Sequence, residues 1–327
     1  MTTRHPTRLL LAVTSSLLLV VVSACGSSTS SSGSATGSTS GSSTTVSGPL
    51  NSGPRSSIPA VSVGTGTLPA VSMAAGQECG VPDTMPTLAN GTLTIATSEP
   101  AFEPWVIDND PTNGNGFESA VAYAVANRLG YLPGQVTWTR VGFDEAIAKP
   151  DGFDFDINQF TITEDRRKQV DFSSGYYTVA QTVITVDGSP IGTATSVADL
   201  KDAQLGAMNG TTSLEAINTV IAPTKVPQVF DDNALAAQAL QNGQIDGLVV
   251  DLPTAFFMTG AQLTDGKVIG QLKTASGEAE QLGLLLAKDS PLTACVTAAV
   301  DSLRTDGTLD ALAEKWLAGS DTAPVLN

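Results

Sequence analysis

The chain has 327 residues, of which 32 are acidic and 16 basic, for a net charge of −16. Apolar residues form 41% of it, enough for a proper core in one large domain or two modest ones. The acidic balance argues against nucleic acid, because phosphate binding needs clustered Lys and Arg. The single histidine, His5, lies in the apparent leader, which excludes Ser–His and Cys–His nucleophile pairs and His-containing metal sites from the rest of the chain. There is also no Cys-x-x-Cys pair and no glycine-rich phosphate loop.

Arg4 and Arg8 precede an apolar run from Leu9 to Val22, too short to span a bilayer comfortably but suited to a signal-peptide core. The run ends in Val22-Ser23-Ala24-Cys25-Gly26, which resembles a bacterial lipobox. Residues 1–24 are then a lipoprotein signal peptide, and Cys25 is lipidated; the alternative is an uncleaved signal anchor. From Gly26 to Thr45 every residue except Ala35 is Ser, Gly or Thr, and Arg55 is the one charge between Cys25 and Glu78. Such a segment cannot bury enough apolar surface to offset its conformational entropy, so residues 25–75 read as a flexible tether. At roughly 5–6 Å × √n for Gly/Ser-rich chains, about fifty residues span about 40 Å end to end.

Beyond the tether, strand-like and helix-like segments alternate. Thr92 to Thr97 alternates polar and apolar residues after the Asn90-Gly91 turn signal. Phe117 to Leu129 has Val121, Val125 and Leu129 at helical spacing and Gly130 as a stop. Strands are expected at 136–141, 153–160 and 178–186, with a helical turn or two at 143–148. A second cycle brings a short helix at 197–200, a strand at 204–208, helices at 213–221 and 233–241, and an apolar strand at 245–250 ending on Asp251. One more strand, 282–287, precedes helices at 292–304 and 309–317. The alternation implies open, largely parallel sheets with helices on their faces. Their ligands bind in crevices beyond the carboxyl ends of the strands, where Thr161 and Asp251 sit.

The most informative stretch is Thr161-Ile162-Thr163-Glu164-Asp165-Arg166-Arg167, followed by Val170-Asp171-Phe172-Ser173-Ser174-Gly175-Tyr176-Tyr177. Read by itself, it is a candidate carboxylate clamp: a guanidinium can grip a carboxylate through two parallel charge-assisted bonds, with a threonine hydroxyl nearby. The whole string resembles the signature of the family 3 extracellular solute-binding proteins, which capture amino acids for ABC importers. Further echoes are Gly116-Phe117-Glu118, Gly210-Thr211-Thr212-Ser213, Gly243-Gln244-Ile245-Asp246, and Asp306-Gly307-Thr308-Leu309 with Lys315-Trp316-Leu317. The resemblance runs from about Thr92 to Leu317.

It implies an α/β fold of the periplasmic-binding-protein-like type II class, two α/β lobes joined by two hinge strands. Residues 76–180 and 280–327 would form lobe 1, and 181–279 lobe 2. It also implies an extracytoplasmic, non-catalytic monomer without cofactor or metal, anchored through Cys25, that closes over a free amino acid and presents it to a membrane permease. A sensor module and a prephenate- or arogenate-type dehydratase on the same fold are the alternatives. Arg166 aligns with the arginine that pairs with the ligand carboxylate; otherwise it forms a salt bridge with Glu164 or Asp165. Thr161 aligns with a ligand-contacting side chain. Thr211 and Thr212 begin a helix, where free N–H groups favour a carboxylate or the side chains simply cap. Asp251 aligns with the acid that accepts the ammonium; otherwise it caps the helix of Pro253. Phe102 and Phe143 align with the aromatic walls, and Trp105 is either a third wall or core. Glu99 and Gln159 stand where the family pattern departs, beside Ser98 and Asn158, while Met208 and Val250 replace polar or charged residues of glutamine- and lysine-type binders. Cys79 and Cys295 are an even pair in an oxidising compartment, either a disulfide or two free thiols. The family topology returns the Cys295 helix to the lobe of Cys79, which favours the bridge.

Overall fold

In the computed structural model the described residues are 78–274, 277–319 and 322–327. The expected signal peptide and tether, with Cys25, lie outside them. The first sheet has the order β2-β1-β3-β10-β4. Its strands are β1 (Leu93–Thr97), β2 (Val136–Arg140), β3 (Phe155–Asp156), β4 (Val170–Val179) and β10 (Glu280–Ala287). The second sheet has the order β7-β6-β8-β5-β9. It comprises β5 (Gln181–Val186), β6 (Leu205–Met208), β7 (Gln228–Phe230), β8 (Gly247–Asp251) and β9 (Gly266–Gln271).

Within each sheet three strands run parallel: β1 with β2 and β3, and β6 with β7 and β8. One strand in each sheet, β10 or β5, runs against the other four, so half of the neighbouring pairs are antiparallel, which corrects the expectation of largely parallel sheets. β10 runs antiparallel to β3 and β4, and β5 antiparallel to β8 and β9. The cause is the chain's path. β4 ends at Val179 in one sheet and β5 begins at Gln181 in the other, while β9 leads back to β10. Crossing strands enter each sheet against the direction of its βα units.

Helix α1 (Phe117–Arg128) and the C-terminal helices α7 (Thr293–Thr305) and α8 (Thr308–Leu317) cover the first sheet. Phe117, Val121, Val125, Val296, Val300 and Leu312 meet Leu93, Ile95 and Leu284 in one apolar cluster. The residue before α1 is Gly116 (φ 97°), where a Cβ would lie 2.4 Å from the Trp105 carbonyl oxygen, so the position requires glycine. Cys79 and Cys295 form a disulfide with Cα atoms 5.5 Å apart, and both belong to this cluster. Between the strands lie α2 (Phe143–Ala148) and α3 (Glu164–Arg167). In the second lobe lie α4 (Thr212–Ala216), α5 (Asn233–Gln241) and α6 (Leu252–Phe257).

The end of the chain departs from its expected place in lobe 1. Val325 pairs with Gln271, the Leu326 N–H donates to the Gln271 carbonyl (2.9 Å), and Leu326 is buried with Ile269 and Leu272. β9 is an edge strand, and at its end the Gln271 backbone is paired by Pro324 and Leu326 while Leu326 covers apolar surface.

Candidate ligand site

A cavity of about 50 Å³ lies between the lobes, lined from the first by Ser98, Phe102, Phe143, Asn158, Gln159, Thr161 and Arg166. From the second it is lined by Met208, Thr211, Thr212, Ser213, Asn233, Val250, Asp251 and Thr254. These residues sit at the carboxyl ends of strands β1, β3, β6 and β8 and at the helix starts that follow, the ordinary crevice of an α/β sheet.

Arg166 is 8% exposed. Thr163 caps α3 by accepting from the Arg166 N–H (3.2 Å), which fixes the turn that carries the guanidinium. Nη1 donates to the Thr161 carbonyl (2.6 Å) and Nη2 to the Gly210 carbonyl across the cleft (2.9 Å). Its Cζ lies 5.3 Å from the centroid of the Phe143 ring, which in turn stacks on Phe160 at 4.7 Å. Among the described residues no carboxylate lies within 4 Å of it; Glu164 pairs with Arg167 and Asp165 with Lys168. Burial lowers the pKa of the guanidinium, and the carboxylates of Asp251 and Glu280 oppose this.

Asp251 ends β8 and precedes α6, but its side chain makes no cap bond. It accepts from Gln181 Nε2 (2.9 Å) instead. Burial pushes its carboxyl up to about 7, with the nearby Glu280 carboxylate adding to the shift and the Gln181 donor opposing it. Gln181 also donates to Glu280 (2.9 Å) and accepts from Ser213 (2.5 Å), so one buried amide ties the starts of both crossing strands to the acid. Sequence reasoning missed Gln181 and Glu280; a glutamine among the Val, Ile, Ala and Thr residues of the Val179–Val186 run was the available signal.

Thr161 and Thr212 face each other with hydroxyl oxygens 3.1 Å apart, one from each lobe. Thr211 caps α4, its hydroxyl accepting from the Leu214 N–H (3.3 Å). Gln159 adopts φ 47°, held there by the Glu118 carboxylate, which accepts from its backbone N–H (2.7 Å) and its side-chain amide. Tyr176 donates to the same carboxylate. Burial pushes Glu118 up to about 7 in spite of these donors, and burial with the Glu118 charge holds Asp156 well above the usual carboxylate range.

Two expected contacts are not brought to the cavity. Glu99 is turned outward, 57% exposed, accepting from Asn109 Nδ2 (2.6 Å) with Arg140 3.5 Å away. Trp105 is buried in the first lobe's core, but its indole donates to Thr254 of the second lobe (2.8 Å), so it stands behind the wall. Ser213, Asn233 and Thr254 line the cavity without having been expected.

The architecture and sequence can be set beside known proteins. Residues 93–319 match the bacterial extracellular solute-binding proteins, family 3. The chain is 30% identical over 237 residues to the L-cystine-binding protein TcyJ of Escherichia coli (strain K12), covering 71% of this chain and 84% of that protein. It is 26% identical to an L-arginine-binding protein of Pseudomonas aeruginosa, covering 71% and 90%. Among solved structures, an ancestral arginine-binding protein bound to glutamine is similar, with TM-score 0.59, 31% identity and coverage of 70% and 99%. An ancestral amino acid-binding protein described as a precursor of cyclohexadienyl dehydratase is similar at TM-score 0.57 and 30% identity, covering 69% and 95%. The chain belongs to the family 3 bacterial extracellular solute-binding proteins.

Proposed function

We propose that this protein binds a free amino acid between its lobes by hinge closure and hands it to an ABC-type importer, without catalysis. One observation carries the reading: Arg166 and Asp251 line one enclosed cavity from opposite lobes and are not paired with each other. Two opposed, unpaired charges match the carboxylate and ammonium of a zwitterion, and desolvated charges are stable only when such partners arrive. Thr161 and Thr212 supply hydroxyls beside the carboxylate, and Phe102 and Phe143 supply apolar walls. Asp251 is the one carboxylate lining the cavity, and no acid–base pair accompanies it. The names of related proteins, among them a glutamine-binding protein of an ABC transporter from Bacillus subtilis, support the same class of ligand and partner.

The protein is held outside the cell membrane by a lipid on Cys25, with the Ser/Gly/Thr-rich segment as its tether. Changing Cys25→Ser should move the protein out of the membrane fraction or leave an unprocessed precursor; an acylated, membrane-bound mutant would refute the anchor. Thermal-shift screening of the twenty amino acids on ligand-free protein tests the binding itself, and no response to any of them would refute it.

A further inference from the structure

Both charges that line the cavity, Arg166 and Asp251, are taken by the two α-groups of an amino acid, and the nearby Glu280 carboxylate is engaged by Gln181 and Thr212. Beyond Arg166 and Asp251, every residue lining the cavity is neutral. Glu99 is drawn outward by Asn109 and Arg140. Both oxygens of Glu118 are engaged, by Tyr176 and Gln159, and it lies behind the wall. Met208 and Val250 add apolar surface where a charged side chain would need a partner. A cationic or anionic ligand side chain would therefore be desolvated in this cleft without a counter-charge.

One buried side-chain donor on the cavity wall has no partner among the described residues. Asn158 leaves the end of β3, lines the cavity and is 6% exposed. Its Oδ1 accepts from Ser98 Oγ (3.3 Å), while its Nδ2 donor has no partner among the described residues. Buried side-chain donors are nearly always satisfied, so an unmatched one on a cavity wall points to an acceptor brought by the ligand. Gln159 cannot play this part, because its amide is given to Glu118.

We propose that the site selects amino acids whose side chain is uncharged and carries a carbonyl or hydroxyl oxygen, and that Asn158 is the residue that reads that oxygen. This rests on the amino-acid-binding reading and narrows it. Ser98 orients the Asn158 amide, the two phenylalanines cover the aliphatic part of the ligand, and Arg166 and Asp251 hold the backbone groups.

The test is calorimetry on ligand-free protein with glutamine, asparagine, serine and threonine, set against arginine, lysine, glutamate and leucine. At least one of the first four should bind at least about a hundredfold more tightly than the charged three, the scale set by an unpaired buried charge. Tightest binding of arginine, lysine or glutamate would overturn the inference and leave the amino-acid reading standing. Silence with all eight, and with the remaining amino acids, would overturn the reading itself. Asn158→Ala should weaken the preferred ligand by about tenfold to a hundredfold, the range for a lost buried hydrogen bond, and leave leucine unchanged. Equal losses for both ligands, or none, would remove Asn158 from the role. Asn158→Asp keeps the shape and adds a charge; it should shift preference towards lysine or arginine, and an unchanged ranking would count against the assignment even if the alanine variant does not fold.

Discussion

In the proposed binding mode Arg166 and Asp251 grip opposite ends of the ligand, and each carries its own prediction. The guanidinium has five N–H donors, of which two go to the carbonyls of Thr161 and Gly210, leaving donors for a ligand carboxylate. Arg166→Met should lower affinity by at least about thirtyfold, since truncating one partner of a desolvated pair costs roughly 2–5 kcal/mol. The fold should hold, which circular dichroism will check; unchanged affinity would reduce Arg166 to a bridge between carbonyls. In the closed, ligand-free cleft burial pushes the Asp251 carboxyl up to about 7, with Glu280 adding to the shift. An arriving ammonium favours the ionised form, so the complex holds this carboxylate charged to lower pH than the free protein does. Below about 7 binding must therefore release a proton, and affinity should weaken as pH falls from 8 to 6. Calorimetry in buffers of different ionisation enthalpy measures that proton; none released at pH 6 would contradict the role. Arg166, Thr161 and Asp251 were legible in the sequence because each occupies a fixed place in a recognisable motif. Glu99 was misplaced because its motif gives spacing but not direction: Asn109 and Arg140, which turn it outward, come from other segments.

At the scale of elements, α1, α2, α5, α7, α8, β1 and β8 follow the periodicity of their residues. Three strands were hidden, β4, β9 and the three-residue β7 (Gln228–Phe230). β4 contains Ser173-Ser174-Gly175, which reads as a turn, yet the chain runs straight through. Register shifts between Leu282 and Leu285 on β10 absorb the irregularity, and Gly175 leaves room for Gln281, whose Oε1 would lie 2.5 Å from a Cβ. β9 begins and nearly ends on glycine, and it is a strand because β5 and the C-terminal residues pair with it. β3 was expected over 153–160 but pairs over Phe155–Asp156 alone. The chain leaves the sheet at Asn158 and left-handed Gln159, and that departure delivers both to the cavity. The disulfide is an element-scale staple whose ends belong to one lobe's core, so it should stabilise folding without restraining the lobes against each other. Cys295→Ser should destabilise by up to about 5 kcal/mol in the loop-entropy account, with ligand affinity unchanged in the folded protein. A large loss of affinity at temperatures where the mutant is folded would show that the bridge acts on the cleft.

For the whole molecule, four enclosed carboxyls among the described residues have pKa values raised by burial: Glu118, Asp154, Asp156 and Asp251. Glu118 holds its proton up to about 7 when folded and to 4.5 when unfolded. Between those values the folded state binds more protons, so stability falls as pH rises through the window. The term is on the order of 3 kcal/mol for Glu118. Exposed carboxyls with lowered values, such as Asp165 and Asp199, lose stability only at more acidic pH. The melting temperature of the ligand-free protein should therefore rise as pH is lowered from 8 to 5, and a steady fall over that range would contradict these burials. The lobes meet through Trp105 with Thr254, Asp144 with Asn209, Arg166 with Gly210 and Thr161 with Thr212. These contacts surround the proposed ligand on both sides and make its two α-groups the centre of the closed form.

In the proposed complex the cleft grips both charged α-groups of an amino acid. Isothermal titration of ligand-free protein with its preferred amino acid, its α-amide and its N-acetyl derivative tests this most directly. The parent should bind in the micromolar range, about −8 kcal/mol, and each blocked form should lose at least about thirtyfold. Equal binding of either blocked form would contradict the account.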